Sequence, residues 1–330
     1  MHGAGLIGWV GGYLILHPQL QVQFPTSCYR VVMTEVSWIR QNPTALVNPL
    51  LIAAFEGEDD PARGGFMALA YMRDAFDAVR IAEVDVDRFV DYDSTRPFIS
   101  TTDGIDRHIE WPKIEIYQGK DVSSNRDIIL VHFLEPRVEW RSYCALVVDV
   151  INTFNPNDTI FLGGQIVNAP HTSPSEVSVR SNSPRLMRSL GLMSDNFVGP
   201  TTMMGAAQII LDGKGASVAT MWSSVPHYLV QTPSPKAAQA LVAKIGELFH
   251  LALDASELDG AVSDYEDSIT KLVESDDEVF NYLARLGISE TDDDEADEDE
   301  FAAMDPTAYA SEMIDEAESY LRYILRDTDR

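Results

Sequence analysis

Two proline-histidine turns and two glutamate turns hold the side chains best suited to acid-base chemistry. Pro170-His171-Thr172 lies in GGQIVNAPHTSP and Pro226-His227-Tyr228 in ATMWSSVPHYL, each directly after an apolar run that reads as a buried strand. Glu56-Gly57 follows the run LLIAAF, and Glu135-Pro136 follows IILVHFL. In an open α/β sheet the ligand crevice forms where loops leave the C-terminal ends of strands, so these turns, with the stretch 163–172, are expected on one side of the sheet. There His171 or His227 would act as general base or acid with Glu56 to orient it and Glu135 as a further candidate, while Gly163 and Gly164 let backbone amides approach an anion.

The same residues have a structural reading, and it is the stronger one. An imidazole in a turn after a buried strand can bond to backbone where the chain bends, as a satisfied core histidine does. The catalytic set is also incomplete: the sequence has no G-x-S-x-G elbow, no phosphate-binding P-loop and no His/Cys/Asp cluster at zinc spacing. No metal or cofactor is expected. His108, His132 and His250 show no partners in the sequence. Of the two cysteines, Cys28 and Cys144, the second falls on the helical stripe Trp140, Cys144, Val147, Ile151, Phe154, which predicts a buried core thiol.

The elements that must position these turns alternate. Candidate strands run 50–55, 78–84, 114–117, 127–133, 159–162 and 217–222; candidate helices begin near Pro61, Val138, Thr201 and Pro235. Ser234 is placed to cap the last, with Pro235 at its first position and Ala238, Leu241, Val242, Ile245, Leu248 and Phe249 on one face. Residues 85–112 read as an inserted β-hairpin around Gly104. The pattern predicts a three-layer α/β/α sandwich with a mainly parallel sheet and one antiparallel excursion.

Charge is unevenly placed. The chain carries 52 acidic against 24 basic residues, a formal charge of −28, of which −21 falls on residues 254–330. A chain this negative is repelled by phosphate backbones and anionic lipid, so neither nucleic acid nor membrane is an expected partner. The run from Glu290 to Glu300 predicts a solvated linker near 289–304; without a turn glycine or spaced ligands it is no calcium loop. Beyond it, Asp305-Pro306 can open a helix on which Tyr309, Met313, Ala317, Tyr320 and Ile324 form one apolar stripe. At the other end, Gly3, Gly5 and Gly8 match a dinucleotide fingerprint by spacing but lack the strand that must feed it. Residues 1–35 are therefore expected to be an extension outside the fold, with Met33 as a candidate start, followed by an α/β/α domain over 36–253 and an acidic helical region over 254–330.

Taken in order, LLIAAFEGEDDPARGG, TRPFISTTDGIDRHIEWPKIEIY, LEPRVEW, HTSPSEVSVRSN, VGPTTMMGAAQIILDGKG, PSPKAAQALVAKIGELF and the two histidine turns resemble the proteasome assembly chaperone family, in its bacterial branch related to the second subunit type. The motif positions are Glu56, Gly57, Glu135, Pro136, Trp140, Pro170, His171, Thr172, Pro174, Gly199, Pro200, Pro226, His227 and Tyr228. The resemblance implies a fold like that of nucleoside phosphorylases and related hydrolases. It also implies a cytoplasmic, homo-oligomeric interaction protein whose partners are proteins, proteasome subunits among them, met through the folded body or the Tyr309–Ile324 stripe. Its alternative is an enzyme acting on a small anionic or nucleoside-like ligand at the histidine cleft. The chain departs from the family at Glu58-Asp59-Asp60 and at Thr172-Ser173-Pro174, where relatives carry a Trp with small residues and an Arg; lacking that cation weakens anion binding beside His171. It also ends Thr328-Asp329-Arg330, without the penultimate tyrosine by which some archaeal members dock on proteasomes.

Overall fold

The strand Leu50–Glu56 has no polar residue before its last position, and Leu50 to Phe55 are wholly buried. A strand apolar on both faces needs cover on both, and that requirement sets the architecture. In a computed structural model of the chain, residues 36–40, 45–102, 106–181, 183–190 and 199–274 are described, together with two short strands near the N-terminus. Contacts divide the chain into residues 1–32 and 33–330. The first unit holds β1 (Gly8–Val10) paired antiparallel with β2 (Tyr13–Ile15); the glycine fingerprint of the sequence falls largely outside the described residues.

The second unit runs β3 (Ser37–Trp38), β4 (Leu50–Glu56), α1 (Gly64–Ala75), β5 (Val79–Asp85), β6 (Phe98–Thr102), β7 (Asp106–Glu110), β8 (Lys113–Asp121), β9 (Arg126–Leu134) and α2 (Trp140–Phe154). It continues through β10 (Asp158–Val167), β11 (Val177–Ser181), α3 (Pro184–Leu190), α4 (Met203–Gly213), β12 (Val218–Pro226), α5 (Pro235–Phe249) and α6 (Asp259–Glu274). Eight strands form one sheet in the order β11-β12-β10-β4-β9-β8-β5-β3.

The central strands β12, β10, β4 and β9 are parallel, while β11, β8, β5 and β3 join antiparallel at the two ends. The α/β/α expectation thus holds, but the single antiparallel excursion is a correction. The four-residue connection between β8 and β9 cannot cross the sheet and must reverse the chain, while β11, β5 and β3 reach their antiparallel places through longer stretches of chain. The excursion expected at 85–112 exists as the β6–β7 hairpin, which forms a two-stranded sheet of its own.

Alternation along β4 decides the two cores. Leu51, Ala53 and Phe55 pack with α2 and α4, where Phe55 stacks on Phe133 at 4.9 Å and meets Phe161 edge-on at 5.4 Å. Leu50, Ile52 and Ala54 face α1 and α5, against Leu69, Met72, Leu241 and Ile245. Helix starts follow their caps: Thr202 accepts from the Gly205 amide ahead of α4, and Ser234 from the Ala237 amide ahead of α5. α2 begins at Trp140 rather than Val138, and Trp140, 39% exposed, lies outside the buried face that Cys144, Val147, Ile151 and Phe154 share. Burial pushes the Cys144 thiol up to about 11, which leaves it an inert core group.

Candidate functional site

Because β4, β9, β10 and β12 are parallel, their C-terminal ends deliver Glu56, Glu135, Val167 and Pro226 to one edge of the sheet, the edge at which a ligand would enter. The sequence-predicted carboxylates and histidines gather there as two separate clusters.

The first cluster is the turn after β4. Glu56 pairs with His132 on the neighbouring strand, Oε2 to Nε2 at 2.9 Å, and with Arg63 at 2.8 Å. Burial raises the Glu56 pKa, but the bond and charge of His132, with Arg63, outweigh it and hold the carboxyl below its ordinary range. Its histidine partner is therefore His132, which no local motif marked; the β4–β9 register sets His132 opposite Ala54, and only that pairing makes it a neighbour of Glu56. Glu135 accepts from the Glu58 amide at 2.6 Å through Oε2, and burial raises its pKa. Gly57 adopts φ +151°, and a Cβ there would stand 2.5 Å from Glu135 Oε2, so this turn requires glycine. Pro136 is buried beside it.

Asp59 and Asp60 complete this turn, and both are buried. Asp60 accepts from the Gly65 and Phe66 amides at 2.8 Å each, capping α1 through space, yet burial still lifts its carboxyl to about 6. Asp59 accepts from the Met204 amide at 3.0 Å at the start of α4, and burial raises its pKa against the bonds from Thr202 and Met204. Its carbonyl accepts from the Gly164 amide at 3.0 Å, and a Cβ on Gly163 would lie 2.4 Å from the same carbonyl. The amides expected to meet a small anion are thus taken by the chain's own turn. Gly163 and Gly164 serve close backbone approach instead, and the N-termini of α1 and α4, natural anion sites of such folds, already hold the Asp60 and Asp59 carboxylates.

The second cluster surrounds Tyr228. The His171 amide donates to the Tyr228 hydroxyl at 2.6 Å, while its ring Nδ1 lies 3.1 Å from the same oxygen and Nε2 lies 3.1 Å from Thr270 Oγ1 on α6. The His171 carbonyl accepts from Lys236 Nζ at 2.7 Å, and Lys236 also pairs with Glu266 of α6. His227 meets the Tyr228 ring edge-on at 5.3 Å and bonds to the Val167 backbone. Burial depresses the pKa of both imidazoles, helped at His171 by Lys236 and opposed there by Glu266, and at His227 opposed by the Val167 bond. In both the shift favours the neutral imidazole. A small cavity beside them, lined by Pro170, His171, Ser173, Ser224, Ser234 and Tyr265 among others, has room for about one water molecule.

Of the remaining motif positions, Thr172, Pro174, Gly199 and Pro200 are exposed, Pro170 is partly buried, and Pro226 closes β12. Lys236 of α5 and Glu266 and Thr270 of α6 escaped sequence reasoning because they come to His171 from far along the chain, 65 residues away for Lys236 and 99 for Thr270. Tyr309, Met313, Tyr320 and Ile324 lie outside the described residues. Among the described residues no group of three or more His, Cys, Asp or Glu side chains could hold a metal ion, and no helix is long and apolar enough to cross a membrane.

Comparison with known proteins gives these turns a context. Residues 54–273 match the model of the PAC2 family, more than half of the chain. The chain is similar to the Mycobacterium tuberculosis proteasome-assembly chaperone homologue Rv2125, with 31% identity over 71% of this chain and 99% of that one and a TM-score of 0.62. It is similar to a PAC2 family protein of Streptomyces avermitilis, 28% identical over 71% and 99% of the two chains, TM-score 0.64. It shares its fold with Pyrococcus furiosus PbaB, an archaeal proteasome activator, at 17% identity over 73% and 99%, TM-score 0.59. A comparison with curated protein sequences finds no match.

Proposed function

The chain belongs to the PAC2 family, and on that premise we propose that it is a proteasome-assembly-chaperone-like interaction protein that recognises protein partners by burying surface, without turnover. The observation that carries this reading is the β6–β7 hairpin. Phe98 and Ile99 are each 61% exposed, Ile109 52% and Trp111 57%, a concentration of large apolar side chains on a two-stranded sheet outside the main one. Ile99 stands directly opposite Ile109 on one face, and Trp111, just past β7, meets Tyr92 edge-on at 5.7 Å. Clustered apolar exposure of this kind is what a protein interface buries, with aromatic residues at its centre.

The enzyme reading loses support at the same edge of the sheet where it began. Glu56 is committed to His132 and Arg63, the Asp59 and Asp60 carboxylates occupy the N-termini of α4 and α1, and His171 is bound on both ring nitrogens. A cytoplasmic homo-oligomer acting on unassembled proteasome subunits is the form this reading takes. Capture tests it: the full chain, immobilised, retains unassembled proteasome subunits at fixed stoichiometry, whereas nucleosides and inorganic phosphate leave its melting temperature unchanged. Saturable nucleoside or phosphate binding without protein capture overturns it.

A further inference from the structure

α6 is fastened to the body more by polar groups than by apolar ones. Among its described residues Ile269 is the one buried side chain, with Val262 and Tyr265 partly buried. The rest of the seam is polar. Gln239 Nε2 of α5 donates to Asp259 Oδ1 at 2.6 Å, Lys236 pairs with Glu266, and His171 Nε2 stands 3.1 Å from Thr270 Oγ1. A helix held in this way belongs to the low-stability end of a fold and can leave without opening the core.

His171 is the member of that seam whose charge changes near neutral pH. Its surroundings are built for one neutral tautomer. The Tyr228 hydroxyl already accepts from the His171 amide at 2.6 Å, so it meets ring Nδ1 best as a donor, and Nε2–H is left to donate to Thr270. A second proton, on Nδ1, would turn the ring into a donor toward an oxygen that already accepts. The charged groups around it also oppose that proton. From α5, Lys236 Nζ sits 2.7 Å from the His171 carbonyl; from α6, Glu266 would attract the imidazolium but is itself paired with Lys236. The turn 227–229 brings Tyr228 and, against its ring, His227, while Glu176, Asp264, Asp267 and Lys271 are exposed. Burial first, then Lys236, depresses the His171 pKa below its ordinary 6.5 against the pull of Glu266.

We infer that α6 is a proton-gated latch, docked while His171 is neutral and released when its ring is protonated, which uncovers the Pro170–Ser175 turn and the small cavity beside Tyr265. The sign follows from the depressed value: docking is favoured above the ordinary imidazole pKa and is lost as pH falls below it. The latch concerns the histidine edge of the sheet and is independent of what binds the β6–β7 face.

Hydrogen-deuterium exchange on the full chain at about pH 7.5 and about pH 5.5, corrected for the intrinsic effect of pH on amide exchange, tests it. Protection across α6 should fall several-fold at the lower pH, with about tenfold as the ceiling for one proton over this interval, while β4 stays protected. His171→Gln, which does not titrate, should abolish the pH response. Thr270→Val should leave α6 fast-exchanging at both pH values. A second measurement needs no variant: the His171 ring nitrogens, followed by NMR in the wild type, should titrate over the same interval in which α6 loses protection. Equal wild-type protection of α6 at both pH values overturns the inference. So does a ring that titrates while α6 stays protected, or a response that persists in full in His171→Gln.

Discussion

Asp59, wholly buried at the turn after β4, accepts the Met204 amide at the start of α4 at 3.0 Å and so joins two helical layers' entry points across 145 residues of chain. Its carbonyl simultaneously holds the Gly164 amide of β10. A carboxylate in this position does for the fold what a bound anion does in ligand-binding relatives of such sheets, with the charge supplied covalently.

Replacing Asp59 therefore tests a structural role. Asp59→Ala strips the Met204 amide of its acceptor inside the core and should cost about 1–3 kcal/mol in chemical denaturation. Asp59→Asn, which keeps one acceptor oxygen and removes a charge that burial disfavours, should cost less. Equal, negligible losses for both would sink this account of the turn.

Asp60 gives the pH dependence. Burial raises its folded pKa to about 6, above the unfolded carboxylate value, so the folded state binds the proton more tightly. Its contribution to stability is fully present below about pH 4 and is lost as pH rises through about 6, an effect of roughly 2–3 kcal/mol. His171 and His227, with depressed pKa values, contribute the other way: their stability is present above about pH 6.5 and is lost on acidification. Wild type minus Asp60→Asn isolates the first effect. Wild type should gain on the variant as pH falls from 7 to 4, and parallel curves would contradict the assignment.

Close approach makes a third prediction. Gly163→Ala puts a Cβ 2.4 Å from the Asp59 carbonyl, and Gly57→Ala combines φ +151° with a clash at Glu135. Each should lower stability by about 1–3 kcal/mol or more, measured by denaturant midpoint, because backbone rather than a flexible side chain must move at Gly163. By contrast Gly213→Ala meets nothing within 4 Å and serves as the neutral comparison.

The histidine turns make the fourth. His171→Ala removes the ring that meets Tyr228 and Thr270, so α6 loses one of its ties to the body. A destabilisation of about 1–3 kcal/mol is expected, with faster exchange in α6, and His227→Ala should likewise lower stability. Wild-type stability together with lost ligand binding in either variant would restore the enzyme reading.

What the sequence made legible follows from what is local. The apolar runs of β4, β9, β10 and β12 and the Ser234-Pro235 start of α5 are patterns of neighbours and appear where spacing put them, but β10 and β12 run on to Val167 and Pro226, so Gly163–Val167 and Ser224–Pro226, expected in loops, are strand: pairing between the two parallel strands carries them past the end of the apolar run. β11 and α3 were missed: VSVRS alternates at an edge without a long apolar run, and α3 spans only seven residues. The partners of the site were hidden for a different reason. His132 meets Glu56 through strand register, Asp59 meets Met204 across the sheet, and Thr270 comes from a helix with few apolar positions, so each pairing exists only in the folded chain.

The central claim is recognition of protein through the β6–β7 face. Sedimentation of the full chain with unassembled proteasome subunits, comparing wild type with Ile99→Asp/Ile109→Asp, tests it most directly. The account predicts a complex of fixed stoichiometry for wild type and at least a tenfold weaker one, by about 1.4 kcal/mol or more, for the variant at unchanged melting temperature. A variant that binds as tightly as wild type, or a wild type that forms no complex at all, contradicts it.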